Sequence, residues 1–106
     1  MSQQNIDTLV TTDTTLKAPG FYDVIFYNDQ RTPYEFVVLV LMHLFQKDYD
    51  TAVMLTNSIH TEGRNIVATY TYEIAATKRD ETISTARANG HPLRVEIEPS
   101  NTGLPL

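Results

Sequence analysis

The sequence predicts an α+β fold in which a three-stranded antiparallel sheet packs against three helices. The chain has 106 residues, of which 42% are hydrophobic, so it is long enough for one domain with a modest core. The predicted elements follow the order strand, helix, helix, strand, helix, strand, which is typical of a small layered domain. We expect a flexible extension over residues 1–18, a core domain over residues 19–98 and a loose tail over residues 99–106.

The first strand and the first helix are predicted at the start of this core. Residues 21–27, FYDVIFY, are aromatic and β-branched, which is typical of a buried strand. A helix start follows, since Thr32 is suited to cap a helix, Pro33 suits the first helical position and Glu35 completes a capping box. The helix continues to about Phe45 and is apolar on nearly every side, so we expect it to be heavily buried.

The second helix is predicted from the signals at its two ends. It starts at Asp48 or Asp50. It ends near His60 or Thr61. Gly63 then acts as the stop, because glycine adopts the left-handed backbone conformation with which many helices end.

The last part of the core contributes a strand, a helix and a strand. Residues 65–72, NIVATYTY, predict the second strand. Thr71 is suited to cap a third helix over about residues 72–88, which stops near residues 89–90. Residues 93–98, LRVEIE, alternate between apolar and charged side chains, so the last strand has one face turned to the core.

Composition excludes several classes of partner and site. The net charge is −5 and there is no basic block, which argues against a nucleic-acid partner. There is no cysteine, and hence no disulfide, no thiolate metal site and no thiol nucleophile. No stretch resembles a signal peptide, and the longest apolar run, at residues 36–42, is too short to span a bilayer. We therefore expect a cytoplasmic protein without membrane contact.

The three histidines do not predict a metal or catalytic site. His43, His60 and His91 have none of the spacings that place two ligands on one helix face, so we expect neither a metal nor a cofactor. Ser58 lies two residues before His60, and residues two apart on a helix do not face each other. We therefore expect a protein that is not an enzyme. A small hydrolase that uses His60 and Asp29 is the remaining enzymatic alternative.

Asn28, Asp29 and His60 have simple structural explanations when each is considered alone. Asn28 and Asp29 are typical of a turn, because both side chains readily bond nearby backbone groups. His60 is typical of a surface or capping histidine at a helix end. The segments around these residues favour a functional interpretation.

Four segments, in order, resemble the ClpS family of bacterial adaptors, which deliver N-degron substrates to the ClpAP protease. They are YDVIFYNDQRTPYEFVVLVL, AVMLTNSIHTEG, YEIAATK and ANGHPL. The resemblance covers about residues 19–98, and the extension before them has no matching motif. It implies the fold described above and a binding function in place of catalysis.

The resemblance also implies a binding site and two partners. Such adaptors bind the first residue of a polypeptide when it is Phe, Tyr, Trp or Leu, and by match Asn28, Asp29 and His60 hold its free α-amino group. These three side chains suit an ammonium, since all can accept hydrogen bonds. The implied pocket for the substrate side chain consists of Gln30, Thr32, Tyr34, Val37, Val40, Thr56, Ile59 and Leu93. Glu73 and Lys78 match residues that contact the N-terminal domain of the ClpA unfoldase, although both are also typical of solvated charges on a helix.

Four positions differ from the family pattern. Gln30 replaces an acidic residue beside the amine site, and Tyr34 stands where the family usually has a methionine that limits entry of branched side chains. Thr56 replaces a pocket methionine, and Ala76 replaces a glutamate in the third helix. The alternative among binding proteins is a stand-alone N-degron-binding module that serves a partner other than ClpA.

Overall fold

The computed structural model describes residues 20–101, and the predicted α+β class is confirmed. Its elements are β1 (Phe21–Tyr27), α1 (Tyr34–Leu44), α2 (Tyr49–Glu62), β2 (Arg64–Thr71), α3 (Tyr72–Ala88) and β3 (Arg94–Pro99). Their order is the predicted one, and the predicted bounds differ from these by a few residues at most. The predicted N-terminal extension and most of the predicted C-terminal tail lie outside the described residues.

β1 is the central strand of the sheet. The strand order is β2-β1-β3, and both pairings are antiparallel. On the side of β2 the register shifts between Val24 and Ile25. All residues of β1 except Asp23 are aromatic or β-branched, and all five residues between its ends are buried. The chain therefore leaves the middle of the sheet at Tyr27, and the segment that follows starts between the two outer strands.

The helices pack on the face of the sheet that carries Tyr22, Val24 and Phe26. Phe26 contacts Phe45, just after α1, edge to face, with the ring centroids 5.5 Å apart. The buried side chains of the helices that join this core are Val37, Val38, Val40, Leu41, Ala52, Ile59, Ala75 and Ala86. The core residues of α3 are both small, Ala75 and Ala86.

The prediction that α1 is buried on nearly every side is wrong for one face. Leu39 is 51% exposed, because α1 packs against the core on one side and leaves the other open. This open face lines a groove of about 390 Å³ that also includes Tyr49, the first residue of α2. The groove residues are Tyr34, Glu35, Val38, Leu39, Met42 and Tyr49.

The predicted capping box at the start of α1 is also wrong. Pro33 occupies the N-cap position, and no side chain caps this end. The hydroxyl of Thr32 donates instead to Asp29 Oδ2 at 2.7 Å. A carboxylate is a strong hydrogen-bond acceptor. The bond to Asp29 therefore holds the Thr32 side chain in the turn before the helix, and the side chain does not cap the helix.

The ends of α2 follow from single residues. The backbone N–H of Thr51 donates to Asp48 Oδ1 at 2.8 Å, so Asp48 is the cap. Gly63 has a φ of 90° and its N–H donates to the carbonyl of Ile59, as the predicted stop requires. Between residues 20 and 101, no helix is long and apolar enough to cross a membrane.

Candidate functional site

A cleft of about 380 Å³ opens where the end of β1, the start of α1 and the end of α2 meet. It is lined by Tyr27, Asn28, Asp29, Gln30, Thr32, Tyr34, Val37, Thr56, Ile59 and His60. The backbone N–H of Asn28 donates to the carbonyl of Gly63 at 2.8 Å. This bond ties the end of β1 to the turn after α2, and so brings Asn28 and His60 to one cleft although they are far apart in sequence.

Asp29 organises the loop between β1 and α1. Its Oδ1 accepts from the backbone N–H groups of Arg31 and Thr32, both at 2.8 Å. Its Oδ2 accepts from the Thr32 hydroxyl at 2.7 Å. A carboxylate oxygen has about two lone-pair sites, so Oδ2 retains capacity for one further donor. Asp29 is half-buried, and this remaining site is available to a ligand in the cleft.

Asn28 and His60 are exposed, and their side chains make no hydrogen bond to any residue between 20 and 101. Together with Asp29 they present an amide oxygen, an imidazole nitrogen and a carboxylate to the same cleft. Each of these groups accepts hydrogen bonds, and the carboxylate adds a negative charge. This side of the cleft is therefore suited to a cationic donor.

Val37 and Ile59 give the cleft an apolar wall. Both are nearly buried, with 7% and 4% of their surface exposed. Thr56 is buried as well, and its hydroxyl already donates to the carbonyl of Ala52 at 2.7 Å. Thr56 consequently has no free donor for a ligand. Such a wall favours an apolar group beside the cationic one.

Most of the residues predicted for the pocket lie at the cleft, but two do not. Val40 and Leu93 belong to the buried core and are not among the lining residues. Val40 is three positions after Val37 on α1, and its side chain packs deeper between the helix and the sheet. Leu93 directly precedes β3 and is covered by the same core.

Tyr27 lines the cleft although the sequence did not single it out. Its hydroxyl donates to Glu96 at 3.4 Å and accepts from Arg64 at 3.2 Å. The Arg94 guanidinium lies 4.0 Å from the centre of its ring. Its position could have indicated this role, because Tyr27 ends β1 directly before Asn28.

Glu73 and Lys78 lie on α3, away from the cleft. Glu73 is exposed, as expected of a solvated charge. Lys78 is half-buried, and its Nζ donates to the backbone carbonyl of Leu44 at 2.6 Å. The interpretation of Lys78 as a merely solvated charge is therefore wrong, because it binds a carbonyl at the end of α1, where a helix carries partial negative charge.

The arrangement of hydroxyls and acceptors in the cleft does not form a nucleophile with its base. The hydroxyls of Thr32 and Thr56 donate to Asp29 and to a backbone carbonyl, and His60 bonds neither of them. Ser58 does not line the cleft. Among residues 20–101 no group of three His, Cys, Asp or Glu side chains is placed to hold a metal ion.

The family model of the ATP-dependent Clp protease adaptor protein ClpS matches residues 17–96. A ClpS adapter protein from Burkholderia mallei is 40% identical over 96 residues, which cover 91% of this chain and 92% of that protein. A ClpS adapter protein from Burkholderia cenocepacia is 43% identical over 83 residues, which cover 78% of this chain and 80% of that protein. The structure of Agrobacterium tumefaciens ClpS2 bound to L-phenylalaninamide matches with a TM-score of 0.74 and 33% identity, over 76% of this chain and 98% of that one. The chain therefore belongs to the ClpS family of Clp protease adaptor proteins.

Proposed function

We propose that the cleft binds the first residue of a polypeptide through its free α-amino group and its side chain. The proposal rests on one observation, the presence of Asn28, Asp29 and His60 beside the apolar wall of a single cleft. The preferred first residues are Phe, Tyr, Trp and Leu. The bound protein is then delivered to the ClpAP protease.

The chemistry of an N-terminal residue matches both sides of the cleft. An ammonium has three donors, and charge-assisted hydrogen bonds contribute about 1.5–3 kcal/mol each. Burial of a Phe or Leu side chain against Val37, Thr56 and Ile59 adds roughly 1.5–3 kcal/mol. The volume, about 380 Å³, is at the small end for ligand pockets and suits one residue. The ligand of Agrobacterium tumefaciens ClpS2, L-phenylalaninamide, combines the same two groups.

Delivery requires a second surface, for which we propose α3. Glu73 is exposed on this helix and is available to the N-terminal domain of ClpA. Lys78 is available only in part, because its ammonium also binds the Leu44 carbonyl. Two separate surfaces would allow substrate and unfoldase to be bound at the same time.

The binding proposal is tested by titrating the protein with L-phenylalaninamide and with its N-acetylated form. Acetylation removes the charge and two donors, and each acceptor that the bound ligand covers without giving it a partner costs about 1–3 kcal/mol. We expect affinity to fall by well over tenfold, since about 1.4 kcal/mol corresponds to one decade.

Two histidine variants serve as a matched pair in the same titration. His60→Ala should weaken binding of the free-amine ligand, whereas His43→Ala should not, because His43 is exposed on α1 and lies outside the cleft. Equal affinity for the free and acetylated ligands would refute the proposed function.

A further inference from the structure

A hydrogen bond joins the two helices at the edge of the cleft. The hydroxyl of Tyr34, the first residue of α1, donates to Asn57 Oδ1 on α2 at 2.8 Å. We call this contact the Tyr34–Asn57 bridge. It holds a large ring between two segments that otherwise meet through their apolar faces.

The bridge lies where the ring of Tyr34 separates two spaces. Tyr34 lines both the cleft and the open groove along α1, and it shares the cleft with Val37 and Thr56. Tyr34 is 43% exposed, so core packing alone does not fix the position of its ring. Without a partner for the hydroxyl, the ring would be free to turn away from the cleft and into the groove.

Asn57 has no contact with the cleft itself. It is not among the lining residues, and its side chain makes no other hydrogen bond between residues 20 and 101. Its backbone carbonyl accepts from Thr61, but that bond does not involve the amide side chain. Within the part of the chain that the structure describes, the Asn57 side chain therefore has one polar partner, the hydroxyl of Tyr34.

We propose that Asn57 is a positioning residue that sets the width of the cleft by holding the ring of Tyr34 in place. The inference rests on the proposed function and adds a selection rule to it. With the ring fixed, a ligand has little room close to its Cα. Side chains branched at Cβ, those of Ile and Val, are disfavoured there against Phe and Leu, which carry a single heavy atom at that depth.

The test compares affinities for L-phenylalaninamide and L-isoleucinamide. Both ligands carry the same ammonium and the same amide, so their affinity ratio reports the side-chain space alone. Tyr34→Phe removes only the hydroxyl, and Asn57→Leu replaces the amide, with its acceptor, by an apolar group of similar volume. A net hydrogen bond of ordinary strength corresponds to about two- to tenfold in an equilibrium. We expect the Ile-to-Phe ratio to rise by about that factor in each variant.

The double variant distinguishes a bridge from two independent effects. If the two residues act as one unit, Tyr34→Phe combined with Asn57→Leu raises the ratio no further than either change alone. Asn57→Asp keeps an acceptor for the hydroxyl and should keep the original ratio, since any added attraction for the ammonium is common to both ligands. Ser58→Ala, one position further along α2 and outside the cleft, is the matched control.

An unchanged ratio in both single variants, or an additive rise in the double variant, would overturn the role of Asn57. Neither result affects the proposed function, which is judged by whether the unmodified protein binds L-phenylalaninamide better than its acetylated form. If the protein binds no free-amine ligand, both proposals fall together. Tyr34 and Asn57 are exposed, so these changes leave the core intact.

Discussion

Asp29 illustrates how one residue combines a structural and a binding role. Three of its acceptor sites are used by Arg31 and Thr32, which fixes the loop before any ligand arrives. The site left on Oδ2 is then held in a defined direction, which lowers the ordering cost of binding. The sequence supports both interpretations of Asp29, as a turn residue and as an amine ligand, and the contacts are compatible with both at once.

The limits of sequence reasoning at this scale are clear from the valines of α1. Val37 lines the cleft and Val40 lies in the core, yet both belong to one unbroken apolar run. When a helix is apolar on nearly every side, its sequence does not indicate which residues face a cavity. The polar residues Asn28, Asp29 and His60 were easier to identify, because a matching motif surrounds each of them.

His60 gives the residue-scale prediction, a loss of affinity when its imidazole is removed. His60→Ala deletes one of the three acceptors that face the ligand ammonium in the cleft. We expect affinity for L-phenylalaninamide to fall about tenfold, measured by calorimetry.

In His43→Ala the affinity should stay unchanged, because His43 lies outside the cleft. Unchanged affinity in His60→Ala would mean that His60 does not accept from the ligand.

At the scale of elements, the sequence predicts a helix end correctly where the capping residue has no other hydrogen-bond partner nearby. Gly63 ends α2 as predicted, and Asp48 caps its start through Thr51. The start of α1 was predicted wrongly because Thr32 has two possible partners, the helix backbone and Asp29. A rule for helix starts considers only the local segment and misses a carboxylate three residues earlier.

The cap of α2 gives the element-scale prediction. The hydrogen bonds that the Thr51 backbone N–H and hydroxyl make to Asp48 lower the pKa of the Asp48 carboxyl below its ordinary value. A lowered pKa in the folded state stabilises the protein above the unfolded-state value, and this contribution is lost as pH falls through the folded-state value. Asp48→Ala should therefore lower the melting temperature by a few degrees at pH 7, and by progressively less below about pH 4.

Asp50→Ala is the matched control for this measurement, because Asp50 is an exposed carboxylate in the same first turn that does not cap it. Thermal unfolding of the three proteins from pH 7 to pH 3 checks the prediction. A constant difference between Asp48→Ala and the unmodified protein at every pH would show that the cap does not depend on the charge.

At the scale of the whole molecule, β1 separates the two proposed surfaces. The cleft follows its last residue, Tyr27, whereas α3 starts directly after Thr71, which pairs with its first residue, Phe21. Seven residues of strand span about 20 Å. This distance exceeds the screening length of about 8 Å at physiological ionic strength, so charges at the start of α3, such as Glu73, have little electrostatic effect at the cleft.

Separation of this kind predicts that Glu73 affects delivery without affecting substrate binding. Glu73→Lys reverses an exposed charge, so it should weaken association with the N-terminal domain of ClpA and leave affinity for L-phenylalaninamide within about twofold. Glu81→Lys is the matched control, because it makes the same charge change at another exposed position of α3. Both affinities can be measured by calorimetry with the same protein samples. If Glu81→Lys weakened association with ClpA equally, the effect would be general electrostatics and not a specific contact. If Glu73→Lys also lost affinity for L-phenylalaninamide, the arrangement of two separate surfaces would be contradicted.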